Sequence, residues 1–154
     1  MVDLWSDQSG NSNNASGSGT TRPTHDVTNT NFNNLPTITF PNTASANFFL
    51  EIPDNDDLDN TSQLSVFVAC RPTSITGTPN GILAKRTSAG VNSSYFFEIT
   101  TSGGNFRYRS SINNETVANI TSTTSTFNQV DIFSFIMSGT SQNGFFDGAN
   151  NTSR

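Results

Sequence analysis

From Leu64 onward, apolar and polar residues along this chain alternate with a period of two, the repeat of a strand and not the 3.6 of a helix. Leu64, Val66, Val68 and Cys70 alternate with Ser65, Phe67, Ala69 and Arg71. Both sets are largely apolar, so Leu64–Arg71 is expected to be an inner strand covered on both faces, beside the second long apolar run, Gln129–Met137. Shorter strands are expected at Thr37–Phe40, Phe48–Ile52, Gly81–Lys85, Ser94–Thr100, Asn105–Ser110, Glu115–Ile120 and Gln142–Asp147. Thr101–Gly104, with two glycines, reads as the turn of a hairpin. In its second arm Phe106 and Tyr108 face one side and Arg107 and Arg109 the other. No window carries a helical period and no segment repeats. Short strands separated by turn residues predict an all-β fold, an antiparallel β-sandwich.

The first 36 residues differ. After Val2, Leu4 and Trp5 they are dominated by Ser, Asn, Thr and Gly, which favour turns and caps. They are expected to form a polar arm or long loop, pinned by Trp5 and Phe32, with residues 37–154 making the β-sandwich of a single domain overall.

Composition narrows the function. Only 32% of residues are hydrophobic and only 12% charged, yet there are 13 Phe, which bury a large area each. Disordered chains combine few apolar residues with high net charge, so a folded domain is expected. A net charge of −5 and a single lysine, Lys85, argue against nucleic acid and against a polybasic membrane anchor. No apolar stretch approaches the ~20 residues needed to span a bilayer, and residues 1–30 lack the pattern of a signal peptide. Cys70, the lone cysteine, cannot make an intrachain disulfide and is expected in the core.

Several pieces together resemble a known family. Trp5-Ser6-Asp7-Gln8-Ser9-Gly10-Asn11, followed by Arg22-Pro23-Thr24, resembles the opening of laminin-G-like, concanavalin A-like jelly-roll domains, frequent in bacteriophage structural proteins and bacterial surface proteins. Phe48–Asp59 is similar to that family's strand and acidic turn, Leu64–Arg86 to its next two strands, and Tyr95–Tyr108 to the hairpin after them. The resemblance spans roughly residues 2–147. Family members continue with further strands, whereas here polar residues follow Asp147. That implies a jelly roll incomplete at its C-terminal edge, its unpaired groups met by residues beyond 154 or by a neighbouring subunit.

The candidate chemistry is sparse. Asp54, Asp56, Asp57 and Asp59 form the one dense carboxylate cluster and could supply oxygen ligands to calcium, which the resemblance also implies at the rim; the cluster lacks the Gly and Glu of an EF-hand loop. Asp7 is expected to organise its own turn. His25 is followed directly by Asp26, a spacing that cannot orient an imidazole as a catalytic base. Glu98 and Glu115 stand on separate strands, not as the paired carboxylates, about 5–5.5 Å apart, of a retaining glycosidase. Glycan binding needs exposed aromatics and planar polar groups, for which Tyr95, Arg107, Tyr108 and Arg109 are the candidates. The expectation is therefore a non-catalytic module with no required cofactor: a bacteriophage virion surface protein, in capsid decoration or a tail fibre, whose partners are virion proteins, identical subunits or host polysaccharide. The alternative is a lectin-like module of a bacterial surface adhesin.

Overall fold

The computed structural model describes residues 1–41, 43, 46–59, 62–74, 80–88, 91–102, 105–112, 118–121, 127–139 and 141–153. Of these, 86–88, 91–94, 100–102, 105–112, 118–121, 142 and 149–153 are described by backbone alone. The chain is all-β and antiparallel. It divides into two compact units, Met1–Asp56 and Asp57–Arg154.

The first unit is built from short ribbons. β1 (Leu4–Trp5) pairs with β2 (Ala15–Ser16), and β3 (Thr24–Asn29) with β4 (Leu35–Thr39). The first unit runs past residue 36, where the polar arm was expected to end. β4 is the partner of β3, and Glu51 exchanges two backbone bonds of 2.8 Å with Ser16, so residues beyond 36 are tied to those before it. The strand expected at Phe48–Ile52 joins no named sheet among the described residues; besides the Glu51 bridge, Phe49 N–H donates to the Thr21 carbonyl at 3.3 Å, and its residues alternate half-buried and exposed. Trp5 is not a pin, being 55% exposed, whereas Val2 and Pro23 are the buried pair. Val2 N–H donates to the Pro23 carbonyl at 2.8 Å, and Asp3 pairs with Arg22. Gly17 lies where these segments cross: a Cβ there would sit 2.8 Å from the Val2 carbonyl oxygen, 2.9 Å from Arg22 Cγ and 3.1 Å from Leu50 Cδ2.

The β3–β4 connection follows from its asparagines. Asn29 caps a 3-10 turn, Thr30–Phe32, by accepting from Asn31 N–H at 3.0 Å, and donates through Nδ2 to Thr37 Oγ1 at 3.0 Å. Asn33 and Asn34 then take left-handed conformations (φ 53° and 60°), which asparagine tolerates better than most residues.

The second unit holds the main core. β5 (Gln63–Cys70), β10 (Asp131–Ser138), β11 (Ser141–Phe146) and β12 (Ala149–Ser153) form one sheet in the order β12-β11-β10-β5. β6 (Asn80–Ser88), β7 (Val91–Ser102), β8 (Asn105–Ile112) and β9 (Ala118–Thr121) form the other, in chain order. Both contribute to one hydrophobic cluster: Val66, Phe133, Phe135, Met137 and Phe146 from the first, Tyr95 and Phe97 from the second. Phe97, Phe133 and Phe135 are wholly buried, and the Phe97 ring lies 6.2 Å from Phe133 and 5.3 Å from Phe135, edge-on to the latter. Cys70 is half-buried against this cluster.

The expected neighbourhood of β5 and β10 is present, with Val68 opposite Phe133 and Val66 opposite Phe135. The expected position of β5 is corrected. Among the described residues it is the edge strand of its sheet, not an inner one, and only one face is covered: Val66 is buried while Phe67 is 70% exposed. The inner place belongs to β10, whose residues alternate between buried and at least partly exposed along its whole length.

The open edge expected at Gln142–Asp147 is also corrected, because β12 of the same chain pairs with β11. Asp147 and Gly148 make a two-residue connection with φ of 47° and 81°, the all-positive pattern of a type I′ hairpin turn. Asp147 secures it further: its N–H donates to the Ile132 carbonyl at 2.8 Å and its Oδ1 accepts from Ile132 N–H at 2.9 Å. β7 and β8 pair as the arms of the expected hairpin, with Ser102 opposite Asn105, while Gly103 and Gly104 of its turn lie outside the described residues.

Replacing Phe97 by Ala removes the ring both sheets share. It should lower stability by about 3–5 kcal/mol in denaturant unfolding, with Phe97→Leu retaining part of the loss. Gly17→Ala should destabilise the first unit by about 1–3 kcal/mol through overpacking, read as faster hydrogen exchange at the amides of Val2, Ser16 and Glu51 with the second unit unchanged.

Candidate functional site

The acidic turn straddles the boundary between the two units. Asp56–Leu58 is a 3-10 turn, and Asp59 Oδ1 accepts an ion-pair hydrogen bond from Lys85 Nζ at 2.8 Å. Asp54 and Asp56 belong to the first unit, Asp57 and Asp59 to the second. Among the described residues no group of three or more His, Cys, Asp or Glu side chains is placed to hold a metal ion.

Lys85 stands opposite Tyr95 in the β6–β7 register. Tyr95, expected as a sugar-stacking ring, is instead 8% exposed and packed against Phe97 at a centroid distance of 6.3 Å. Burial pushes its hydroxyl above the ordinary pKa of 10.0, opposed by the nearby Lys85 charge and reinforced by Asp59. The other three glycan candidates lie on β8: Arg107 opposite Thr100, Tyr108 opposite Ile99 and Arg109 opposite Glu98. Their side chains lie outside the described residues.

The remaining chemical groups are separated. His25 is exposed on β3 opposite Ile38, and the adjacent Asp26 accepts from Thr28 N–H at 3.1 Å, which turns the backbone at the irregular end of the ribbon. Glu98 is 4% exposed on β7, and Asp131 is wholly buried at the start of β10, opposite Cys70. Asp131 went unremarked in the sequence, although its position in the alternation Asp131, Phe133, Phe135, Met137 assigns it to the core face. A shallow open depression is lined by Gln63, Leu64, Ser65, Met137 and Ser138, none of them titratable.

The best-organised polar feature is the loop between β1 and β2. Asp7 accepts from Ser9 N–H at 2.8 Å, Ser9 Oγ–H at 2.7 Å and Asn13 N–H at 3.0 Å, while its own N–H donates to Asn14 Oδ1 at 2.8 Å. The loop is therefore wound around one carboxylate, as its sequence implies. These bonds, the Ser9 hydroxyl first, hold the Asp7 carboxyl below the ordinary value of 3.8. Trp5, exposed, stands at the entrance to this loop.

Set beside known proteins, the chain matches no family model, no curated protein and no solved structure. Among the described residues no helix is long and apolar enough to cross a membrane.

Because the Asp7 pKa is lower folded than unfolded, its contribution to loop stability is complete above the ordinary value of 3.8 and is lost as pH falls through the folded value. The amide resonances of Ser9 and Asn13 should titrate together with the Asp7 carboxyl below pH 3.8, and neither should titrate in Asp7→Asn, where the loop is loosened at every pH.

Proposed function

We propose that the protein is a non-catalytic structural module of a bacteriophage virion surface, in capsid decoration or a tail fibre, working through contacts with other subunits or the host surface. Its second unit is read as a β-sandwich of the concanavalin A-like jelly-roll kind. Two four-stranded sheets contribute to one core, and the chain passes from one sheet at β5 to the other at β6–β9 and back at β10–β12, as two-sheet antiparallel folds do. The resemblance over residues 2–147 supplies the virion class.

The observation that carries the contact function is the set of large apolar side chains left outside. Trp5, Val27, Leu35, Phe67 and Ile132 are each more than half exposed on a chain with only 12% charged residues. Single exposed apolar residues need no explanation. Phe67, however, is opposite Ser134, so Ile132 and Ile136 are its diagonal neighbours on the same exposed face. Such a cluster marks a surface that meets another molecule.

The lectin-like alternative keeps one favourable observation, the exposed Trp5 ring beside an Asn- and Ser-rich loop. Quantitative mass spectrometry of purified phage particles tests the two readings. A fixed copy number per particle is expected. Absence from particles, together with saturable binding on a glycan array that Trp5→Ala abolishes, would replace the virion reading with the lectin one.

A further inference from the structure

The two four-stranded sheets have four outer strands, and three of them carry features that discourage pairing with another chain. β6 has register shifts at Gly81/Leu83 and Lys85/Arg86 and includes two basic residues in its sequence. The β11–β12 pair shifts register at Gly144/Phe145. β9 is four residues long. β5 has none of these features. It is eight residues long, QLSVFVAC, pairs with β10 without a register shift, and contains no charge, no proline and no glycine. Among the described residues no strand pairs with its other side.

We propose that this edge is a self-association site: β5 pairs antiparallel with β5 of a second copy, about a two-fold axis perpendicular to the sheet at Phe67, giving one continuous eight-stranded sheet. The second copy is the occupant that the strand itself fits. A two-fold at residue 67 sets Phe67 against Phe67 of the other copy, Val66 against Val68, Ser65 against Ala69 and Leu64 against Cys70. Each pair then joins like faces, since paired residues of antiparallel strands point the same way. The covered face of one copy continues that of the other, and the exposed strip of Phe67, Ile132 and Ile136 doubles in width.

Charge agrees with this choice. Each copy carries −5, and like charges set opposite each other across a ladder are destabilising. β5 offers a line of approach free of charge. The nearest cation, Arg71, has its Nε donating to the Asn128 carbonyl at 2.9 Å, back toward its own chain. A basic or acidic partner would find nothing on this edge to recognise, whereas an identical strand finds backbone groups and a matching apolar row. The proposal does not depend on the virion reading, because it follows from the edge alone.

Sedimentation velocity over a concentration series tests it on the full chain. The wild type should pass from monomer to dimer as concentration rises. Phe67→Lys, which sets two ammonium groups against each other at the axis, should remain monomeric throughout with an unchanged far-UV spectrum, because residue 67 is 70% exposed in the single chain. Val27→Lys, at an equally exposed apolar position on β3, should dimerise like the wild type. A wild type that stays monomeric at every concentration overturns the proposal. So does a Phe67→Lys variant that still dimerises, or a dimer lost in Val27→Lys instead.

Discussion

A chain with only 32% hydrophobic residues can complete few dense contacts, and the second unit concentrates them where Phe97 meets Phe133 and Phe135. Each β-sheet supplies one wall, and the three rings are wholly excluded from water. Tyr95, Val66, Met137 and Phe146 extend the cluster to either side. The rest of the unit depends on this contact, because it is where side chains of both sheets meet. Phe was the residue suited to the task. It buries a large area for two side-chain torsions, and edge-on packing of the kind between Phe97 and Phe135 adds attraction beyond area alone.

The polar residues have a different task. In the first unit the buried pair Val2 and Pro23 is too small to hold the chain by itself. Order there comes from side chains that act on nearby backbone: Asp7 on Ser9 and Asn13, Asp26 on Thr28, Asn29 on Asn31. These are local bonds, each bridging a few residues. They shape loops and ribbons without demanding a core, and they account for a sequence so rich in Asn, Ser and Thr that still adopts defined turns. Asp147 shows the same device in the second unit, where it ties the last hairpin to β10 through both its N–H and its carboxylate.

How much of this was legible follows from which force fixes each element. β5 and β10 were readable because their alternation records burial on one face. β12 was not, since Ala149–Ser153 has no apolar alternation to read; its signal was the Asp147-Gly148 pair, the sequence of a type I′ turn. The position of β5 was misread because an apolar residue such as Phe67 looks the same whether its face is covered or left open. Periodicity reports which residues share a face, not what lies over it. The candidate site was less legible still. In the acidic turn Asp59 pairs with Lys85, 26 residues later, a partner that only tertiary structure supplies. Tyr95 looked available for sugar stacking until the register of β7 placed it on the core side with Phe97.

Scarcity of charge links the fold to its surface. Of 12 acidic and seven basic residues, Asp3 is matched to Arg22 and Asp59 to Lys85, while Asp7, Asp26 and Asp147 accept backbone N–H groups. These seven groups hold the chain's own turns and segments. The net charge of −5 is spread over 154 residues, and its field is screened within about 8–10 Å at ordinary ionic strength. Neither steering toward a charged polymer nor strong repulsion between copies can dominate encounters of such a molecule. Encounters are instead decided at short range, by shape, by exposed apolar side chains and by the hydrogen-bonding groups of strand edges. Proteins that must keep their edges apart place charge, proline or a bulge there. This chain does so, in sequence or register, at β6, and leaves β5 straight and neutral. The difference between the two edges is a difference in which contacts the molecule permits, and it places the open contact beside the same Phe67, Ile132 and Ile136 that the core left outside.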